Sequence, residues 1–439
     1  MKKIFNIMDK YYNVFICIAL FLLLFYPFNI SIRQLLIPND YVLFFIYFLG
    51  TALILLLHYK EIIKRFKKKL PIGIVCLFIC LLILIKNGDL NRGHFGMPFF
   101  MISSLINIYF LSHSQKWIKP FLFVCLIYSV EHIFFTILFY FIPEFYKEEI
   151  LPLFPDSLKE LTWQFEHKQM AGLTFHYSTN AGYLTFGLFL VLSQLMKEKK
   201  NTKNWYIYLG ILVANIIAIL MTGKRAHVFF TLFVVGSLFL ILNGKFILNN
   251  KGKTCAMLGI ASIIGFFAFK YIDLLSAPAE RLIEGIENGN LFYTRKPMYT
   301  LAIDLFKGHE LIGNGWGTYK YFYNEVIVEK ERDLMDAHNI YLQMLCEIGI
   351  LGILLIMTLF GYLYFKMFKL IKDKNENSSI IYMLFMLQSF ILLEGIVGNP
   401  IYDIQEIVPY MFVVSAFLAG DAKKENKEEL ENERENFEY

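Results

Sequence analysis

The chain has 439 residues, of which 57% are apolar or aromatic and only 18% are charged. Soluble domains are about 25% charged, so this composition indicates a polytopic membrane protein. The roughly 250 apolar side chains suffice for about twelve helices of about 20 residues each. The composition excludes a secreted disulfide scaffold, a nucleic-acid binder and a soluble enzyme with a single anchor. A net charge of +5 is too small and too dispersed to indicate a polyanionic partner.

Apolar segments recur along the whole chain and predict an all-α fold with about twelve transmembrane helices. They cover residues 12–28, 41–59, 70–85, 97–111, 120–142, 181–196, 205–221, 226–243, 255–272, 339–365, 380–398 and 407–419. Helices are predicted rather than barrel strands, because period-2 alternation is absent and lipid offers the backbone no hydrogen bonds. The first segment has no small-residue cleavage site, so it is predicted to be a helix and not a removed signal peptide.

Lys and Arg are distributed unevenly between alternate connections. With the N-terminus in the cytoplasm, the five inner loops, including 60–69 and 197–203, hold 19 Lys plus Arg. The short outer connections hold five, which are Arg33, Lys86, Arg92, Lys224 and Arg225. Because basic loops stay inside, we predict a multi-pass protein of the cytoplasmic membrane with both termini in the cytoplasm.

Two outer segments, 143–180 and 273–337, are too long to be simple turns. The second precedes the tenth predicted helix and holds 7 Lys plus Arg against 11 Asp plus Glu. An anion there must therefore be bound by particular arginines and not by a diffuse basic field. We predict one membrane domain, 1–420, and a charged cytoplasmic tail, 421–439. The six cysteines lie in or beside apolar segments and are predicted to be packing residues.

A His-Asn pair, His338 and Asn339, lies where the long outer segment re-enters the membrane. One interpretation is a helix start, with Asn or His as the cap. The other is that His338, half-buried and half-wet, is a general base. Glu347 is nine residues on, about 900° around the helix, so it faces away from His338 and is predicted to bond a neighbouring helix. Gly349 and Gly352 would permit close helix packing.

Three further segments place polar groups at the outer face. In the tight turn 222–230, Lys224 and Arg225 suit a phosphate group, with helix-end snorkelling of the arginine as the alternative. Arg295 precedes a helix-like run in the long outer segment. The turn that contains Gly313, Gly315 and Gly317 is predicted to let backbone approach a substrate or the membrane surface.

The fourth segment, 172–186, groups hydroxyl, amide and aromatic side chains of the kinds that hold sugars. His176, Tyr177 and Asn180 are predicted to contact a glycan, as is Asn339. Helix capping by Ser178 or Asn180 is the equal alternative. No Asp-x-Asp pattern or His/Cys cluster at the outer face suits a metal, so no metal site is predicted.

The arrangement resembles the O-antigen ligase and O-antigen polymerase superfamily of bacterial membrane glycosyltransferases. The residues that carry the resemblance are His338-Asn339 with Tyr341, Leu342, Glu347, Gly349 and Gly352, the run 222–226, Arg295 with an aromatic residue four positions on, and the turn of Gly313, Gly315 and Gly317. The twelve spans and the long outer loop match as well, so the resemblance covers most of the chain. Two positions depart from it: the family often has Ser in place of Lys224 and Trp in place of Tyr299.

The resemblance implies a glycan donor carried on undecaprenyl diphosphate and an acceptor hydroxyl group. By analogy, His338 takes the proton from the acceptor, and Arg225, Arg295 and Lys224 bind the departing diphosphate. Direct displacement would invert the anomeric centre. Neither a metal nor another cofactor is expected.

The choice among ligase, polymerase and flippase depends on weaker signals. The Lys, Ile and Asn bias and the run 176–180 look like Gram-positive relatives, which have no lipopolysaccharide core as acceptor. We therefore predict polymerisation of repeat units into a capsular or exopolysaccharide, with O-antigen ligation to a lipid or protein acceptor as the alternative. A lipid-linked oligosaccharide flippase would need charged residues along a central path. The expected partners are the lipid-linked oligosaccharide and membrane lipids, with a chain-length regulator and a flippase as candidate protein partners and no nucleic acid.

Overall fold

A computed structural model describes residues 10–28, 40–65, 70–86, 96–150, 152, 169–174, 176–249, 295–327, 336–371, 378–404 and 406–420. Within these ranges the chain forms helices and turns and contains no β-strand. The predicted all-α class is therefore confirmed. The apolar segment 255–272 and the tail 421–439 lie outside the described residues.

Thirteen helices of nine or more residues lie within the described ranges and are numbered here in chain order. They are α1 (Tyr12–Phe28), α2 (Asp40–Arg65), α3 (Leu70–Lys86), α4 (Gly96–Leu111), α5 (Ile118–Phe141), α6 (Tyr177–Lys197), α7 (Lys203–Met221), α8 (Arg225–Asn249), α9 (Lys296–Phe306), α10 (Tyr319–Ile327), α11 (Ile340–Leu370), α12 (Ser378–Glu394) and α13 (Glu406–Gly420). The helices α9 and α10 belong to the second long outer segment, and the others coincide with predicted apolar segments.

Five helices are long and apolar enough to cross a membrane, which takes about 20 residues. They contain the stretches Phe45–Lys64, Ile118–Phe141, Lys203–Met221, Arg225–Gly244 and Ile340–Leu370. The helices α1, α3, α4, α12 and α13 are apolar but shorter. A protein with several membrane-spanning helices is thus confirmed, whereas the count of twelve spans stays a prediction.

The helix α6 lies at the centre of the described helices. It packs against α5, α7, α8 and α12, and every residue from Asn180 to Val191 is buried. By contrast, α3 and α8 expose large apolar side chains such as Leu77 and Phe229. Exposed apolar side chains on the peripheral helices are what contact with lipid requires.

Two polar contacts join helix ends that are far apart in sequence. Lys116 Nζ lies 2.6 Å from Glu61 Oε1, which joins the α4–α5 turn to the end of α2. At other ends, Lys224 Nζ donates to Ser178 Oγ at 2.6 Å. Each contact joins two segments that the Lys and Arg distribution predicts to lie on the same side, the first pair inside and the second pair outside. The absolute orientation stays a prediction.

The helix α11 is interrupted at Gly349, whose φ of 64° and ψ of −171° are not helical. Beyond the interruption, the Ile350 and Leu351 amides donate to the carbonyl oxygens of Glu310 and Leu311 at 2.8 and 3.1 Å. In an unbroken helix these amides would donate to the carbonyls four residues earlier. Hydrogen bonds to residues 310 and 311 therefore replace the helical hydrogen bonds that these two amides would otherwise make.

The displaced carbonyl oxygens of α11 are bonded by the same turn. Cys346 O accepts from the Asn314 amide at 2.9 Å, and Glu347 O accepts from the Gly315 amide at 2.7 Å. A side chain on Gly313 would overlap the Glu347 backbone. Backbone groups that leave the helical pattern in a protein of this class need partners from the protein, and here the turn supplies them. We name residues 310–315 the inserted turn.

Candidate active site

His338 lies immediately before α11 in a left-handed backbone conformation, with φ of 52°. Such a conformation is uncommon outside glycine and needs support from neighbouring groups. On one side, the Ala337 amide donates to Gln343 Oε1 at 2.9 Å. The Tyr299 hydroxyl donates to the His338 carbonyl at 3.5 Å. These contacts fix the direction in which the half-buried imidazole leaves the backbone.

Asn339 is the cap of α11. Its Oδ1 accepts from the amides of Tyr341 and Leu342 at 3.0 and 3.1 Å. The capping interpretation of the His-Asn pair therefore applies to Asn339, and the His338 imidazole has no such duty. Contact of Asn339 with a glycan stays a prediction.

The His338 imidazole lies within electrostatic range of three cationic side chains. Burial lowers its pKa to about 4, and the charges of Arg295, Lys224 and Lys320 act in the same direction. The Asp336 carboxylate opposes them. The imidazole is therefore neutral near pH 7, with a nitrogen lone pair able to accept a proton.

His176 belongs to the same group. Burial lowers its pKa to about 4, with further contributions from Lys224 and His338. These electrostatic effects show that segments around 176, 224, 295 and 338 converge. The sequence predicted their convergence from sidedness alone.

The turn between α7 and α8 positions Lys224 and Arg225. Gly223 has φ of 68°, which favours glycine, and the Lys224 amide donates to Thr222 Oγ1 at 3.3 Å. Lys224 reaches Ser178, as described above, and Arg225 is the half-buried first residue of α8. Diphosphate binding by Arg225 stays a prediction, with helix-end snorkelling as its alternative.

The start of α6 differs from the capping prediction. His176 is the cap, because its Nδ1 accepts from the Ser178 amide at 3.1 Å. Capping by Ser178 or Asn180 is therefore wrong. Asn180 is fully buried, and its Nδ2 donates to Thr136 Oγ1 at 2.8 Å and to the Met170 carbonyl at 3.0 Å.

Of the predicted glycan-contacting residues in this segment, only His176 and Tyr177 keep partly exposed side chains. Their rings lie 4.5 Å apart. Asn180 points into the protein because its amide is needed to join α6 to α5 and to the chain at Met170. Glycan contact by His176 and Tyr177 stays a prediction.

Glu347 links α11 to the glycine turn and to the start of α10. The Glu347 carboxylate accepts from the Gly317 amide at 2.7 Å and the Tyr319 amide at 2.9 Å, at the start of α10. A carboxylate at a helix N-terminus satisfies free amides and the helix dipole. The glycine turn thus approaches α11, and its approach to a substrate or the membrane surface stays a prediction.

The remaining glycines have distinct surroundings. Gly315 has φ of 120° and Gly317 has φ of 77°, so both adopt backbone conformations that favour glycine. A side chain on Gly352 would meet Ile348 of its own helix, one turn before it.

Sequence reasoning missed a network beside His338. Asp336 pairs with Lys320 Nζ at 2.8 Å and accepts from Gln343 Nε2 at 2.8 Å. Gln343 is fully buried. Asp336 stands two residues before His338, which is the one signal in the sequence, whereas Lys320 lies in an aromatic run without a recognisable pattern.

Comparison with known proteins bears on the same residues. Residues 210–357 match the family model described as O-antigen ligase. The resemblance to the O-antigen ligase and polymerase superfamily is confirmed. The match covers about a third of the chain and includes Lys224, Arg225, Arg295 and His338. It indicates a glycosyltransferase-like membrane protein of ligase or polymerase type. A search of curated proteins found no match.

Proposed function

We propose that the protein polymerises oligosaccharide repeat units carried on undecaprenyl diphosphate. The reaction takes place at the outer face of the cytoplasmic membrane and yields a capsular or exopolysaccharide. The observation that supports this most is the neutral imidazole of His338 beside Arg295 and Lys224, inside the stretch that matches O-antigen ligases.

The reaction needs a base and a group that stabilises the leaving diphosphate. His338 accepts the proton of the acceptor hydroxyl, whose oxygen attacks the anomeric carbon. The bond from that carbon to the diphosphate breaks, and the electron pair leaves with the phosphate oxygen. Attack opposite the leaving group inverts the anomeric centre.

Donor binding would change the pKa of His338. Burial, and then the nearby cations, keep the pKa of His338 low in the free protein. A diphosphate bound at Arg295 and Lys224 offsets those positive charges, which raises the pKa of His338 towards a value that suits general-base catalysis. The base therefore becomes effective when the donor is present.

The cationic side chains supply the second requirement. Arginine holds two phosphate oxygens with a planar fork and never loses its charge, and lysine adds a point charge. Arg225, Arg295 and Lys224 are the residues assigned to this role. Fixed positive charges at a half-buried site stabilise the developing anion without a metal ion in the step.

Ligation is the second candidate function, because the matching family model is described as O-antigen ligase. Ligation and polymerisation share the donor, the base and the inverting displacement. They differ only in the acceptor, which is a growing chain in one case and a lipid or protein in the other.

The test uses full-length protein purified in detergent and supplied with lipid-linked repeat units. His338→Ala and His338→Asn should both slow polymer formation by about 10²–10⁴-fold, the usual effect of removing a general base. Asn339 caps α11 in both variants, so folding should be preserved. His309→Ala, at an exposed histidine of the outer segment, should behave like wild type.

Two results would contradict the proposal. Near-wild-type polymer from His338→Asn protein would exclude the base assignment. A wild-type enzyme that leaves repeat units unpolymerised, but transfers one glycan to an added lipid or protein acceptor, would establish ligation instead.

A further inference from the structure

Three side chains with metal-binding atoms meet between helices far apart in sequence. His227 lies in the first turn of α8, Glu394 ends α12 and Glu406 begins α13. One imidazole nitrogen and one oxygen from each carboxylate all lie within 4.8 Å of one another. His227 is fully buried and Glu394 is only 5% exposed.

One carboxylate oxygen of this group is buried without a hydrogen-bond partner among the described residues. His227 Nε2 lies 2.7 Å from Glu394 Oε1, so the imidazole and this carboxylate oxygen form a buried pair. Glu394 Oε2 has no hydrogen-bond partner among the described residues. A buried carboxylate oxygen without a partner is unfavourable away from water unless a cation or a proton compensates it.

The surroundings hold two of these side chains in place. His227 Nδ1 lies 3.1 Å from Thr185 Oγ1, so the far side of the ring is fixed, as in most metal-binding histidines. A side chain on Gly182 would collide with the Glu406 carboxylate, so this glycine of α6 leaves space for it. Glu406 is partly exposed.

We propose that His227, Glu394 and Glu406 bind one divalent cation of the Mn²⁺ or Zn²⁺ class. A neutral imidazole and two carboxylates balance a double positive charge, and this mixture of nitrogen and oxygen donors suits those ions. Three protein donors leave room for water at the remaining positions. The ion joins α8, α12 and α13 and takes no part in the displacement at His338.

Lys224 competes with such an ion. Its ammonium acts electrostatically on both Glu394 and Glu406, as well as on His338. A cation that neutralises the two carboxylates would leave the Lys224 charge available to the donor diphosphate. The two sites are therefore distinct but adjacent.

The experiment is a Mn²⁺ titration of full-length protein that has been stripped with a chelator and freed of it. Electron paramagnetic resonance should report one bound Mn²⁺ per chain, with coupling to one imidazole nitrogen, and the melting temperature should rise with Mn²⁺. Glu394→Gln, Glu406→Gln and Thr185→Val should each weaken Mn²⁺ binding by about tenfold or more. Glu144→Gln, at an exposed carboxylate, is the matched control and should bind like wild type.

Stripped wild-type protein that takes up neither Mn²⁺ nor Zn²⁺ would overturn the proposal, whatever the variants do. Binding without imidazole coupling, or binding that survives in both glutamine variants, would place the ion elsewhere and overturn it as well. Glycosyl transfer is not the readout, so failure here is separate from failure of the proposed polymerase activity.

Discussion

The interruption of α11 makes Gly349 sensitive to a single added methyl group. Its backbone angles, φ of 64° and ψ of −171°, are accessible essentially only to glycine, and another residue there costs about 1–3 kcal/mol. A methyl group would also overlap the Leu311 backbone.

Straightening of α11 would relieve that strain but at a similar cost. Four backbone hydrogen bonds to the inserted turn would be lost and two regained within the helix, so that the backbone alone loses about 1–3 kcal/mol at roughly 0.5–1.5 kcal/mol each. If α11 keeps its break, the overlap of the new methyl group with the Leu311 backbone adds to the cost. We therefore expect Gly349→Ala to destabilise the protein by about 3 kcal/mol.

The matched control lies on the same helix. A side chain on Gly361 would meet no atom within 4 Å, so Gly361→Ala should be neutral or stabilising by up to about 1 kcal/mol. Equilibrium unfolding in mixed micelles measures both variants. If the two unfold at the same denaturant concentration, the exchange of hydrogen bonds between the inserted turn and α11 is absent and the reasoning fails.

Three other predictions concern the site and the topology. A reporter fused after Lys203 should be cytoplasmic and one fused within 285–330 external; the same compartment for both would refute the site model. Arg225→Ala and Arg295→Ala should lose about 2–4 kcal/mol of transition-state stabilisation, measured as kcat/KM, and Arg225→Lys should lose less; normal polymer from Arg225→Ala protein would favour snorkelling. Because the pKa of His338 is lowered to about 4 in the free protein, kcat/KM should be constant near neutral pH and fall below about pH 5. Arg295→Gln removes a cation and should move the fall in activity to higher pH. Asp336→Asn removes an anion and should move the fall to lower pH. Shifts in the opposite directions would contradict the assignment.

The helices and the meeting of the polar segments were predictable from the sequence for a simple reason. Lipid forces apolar runs into helices, and basic residues report which ends lie on the same side. His176, Lys224, Arg295 and His338 were therefore expected on one face, and the structure brings their charges within mutual range.

The direction in which side chains point was not predictable in this way. Asn180 lies among polar residues at a helix start, yet its amide turns inward to Thr136 because α5 and α6 pack there. Gly349 suggested close packing, whereas it marks a break that only the partner segment explains. Glu394 and Glu406 each stand alone in sequence, and only the packing of α12 and α13 brings them to His227.

The inserted turn also decides which parts of the protein can be exchanged with relatives. At the break, residues 310–315 and residues 346–351 each donate hydrogen bonds to the other segment and accept hydrogen bonds from it. Neither segment can satisfy its backbone groups without the other. A chimera that takes only the outer segment from another glycosyltransferase would leave backbone groups unmatched at membrane depth. Grafts designed to change acceptor preference should therefore run without a junction from the outer segment through Leu351.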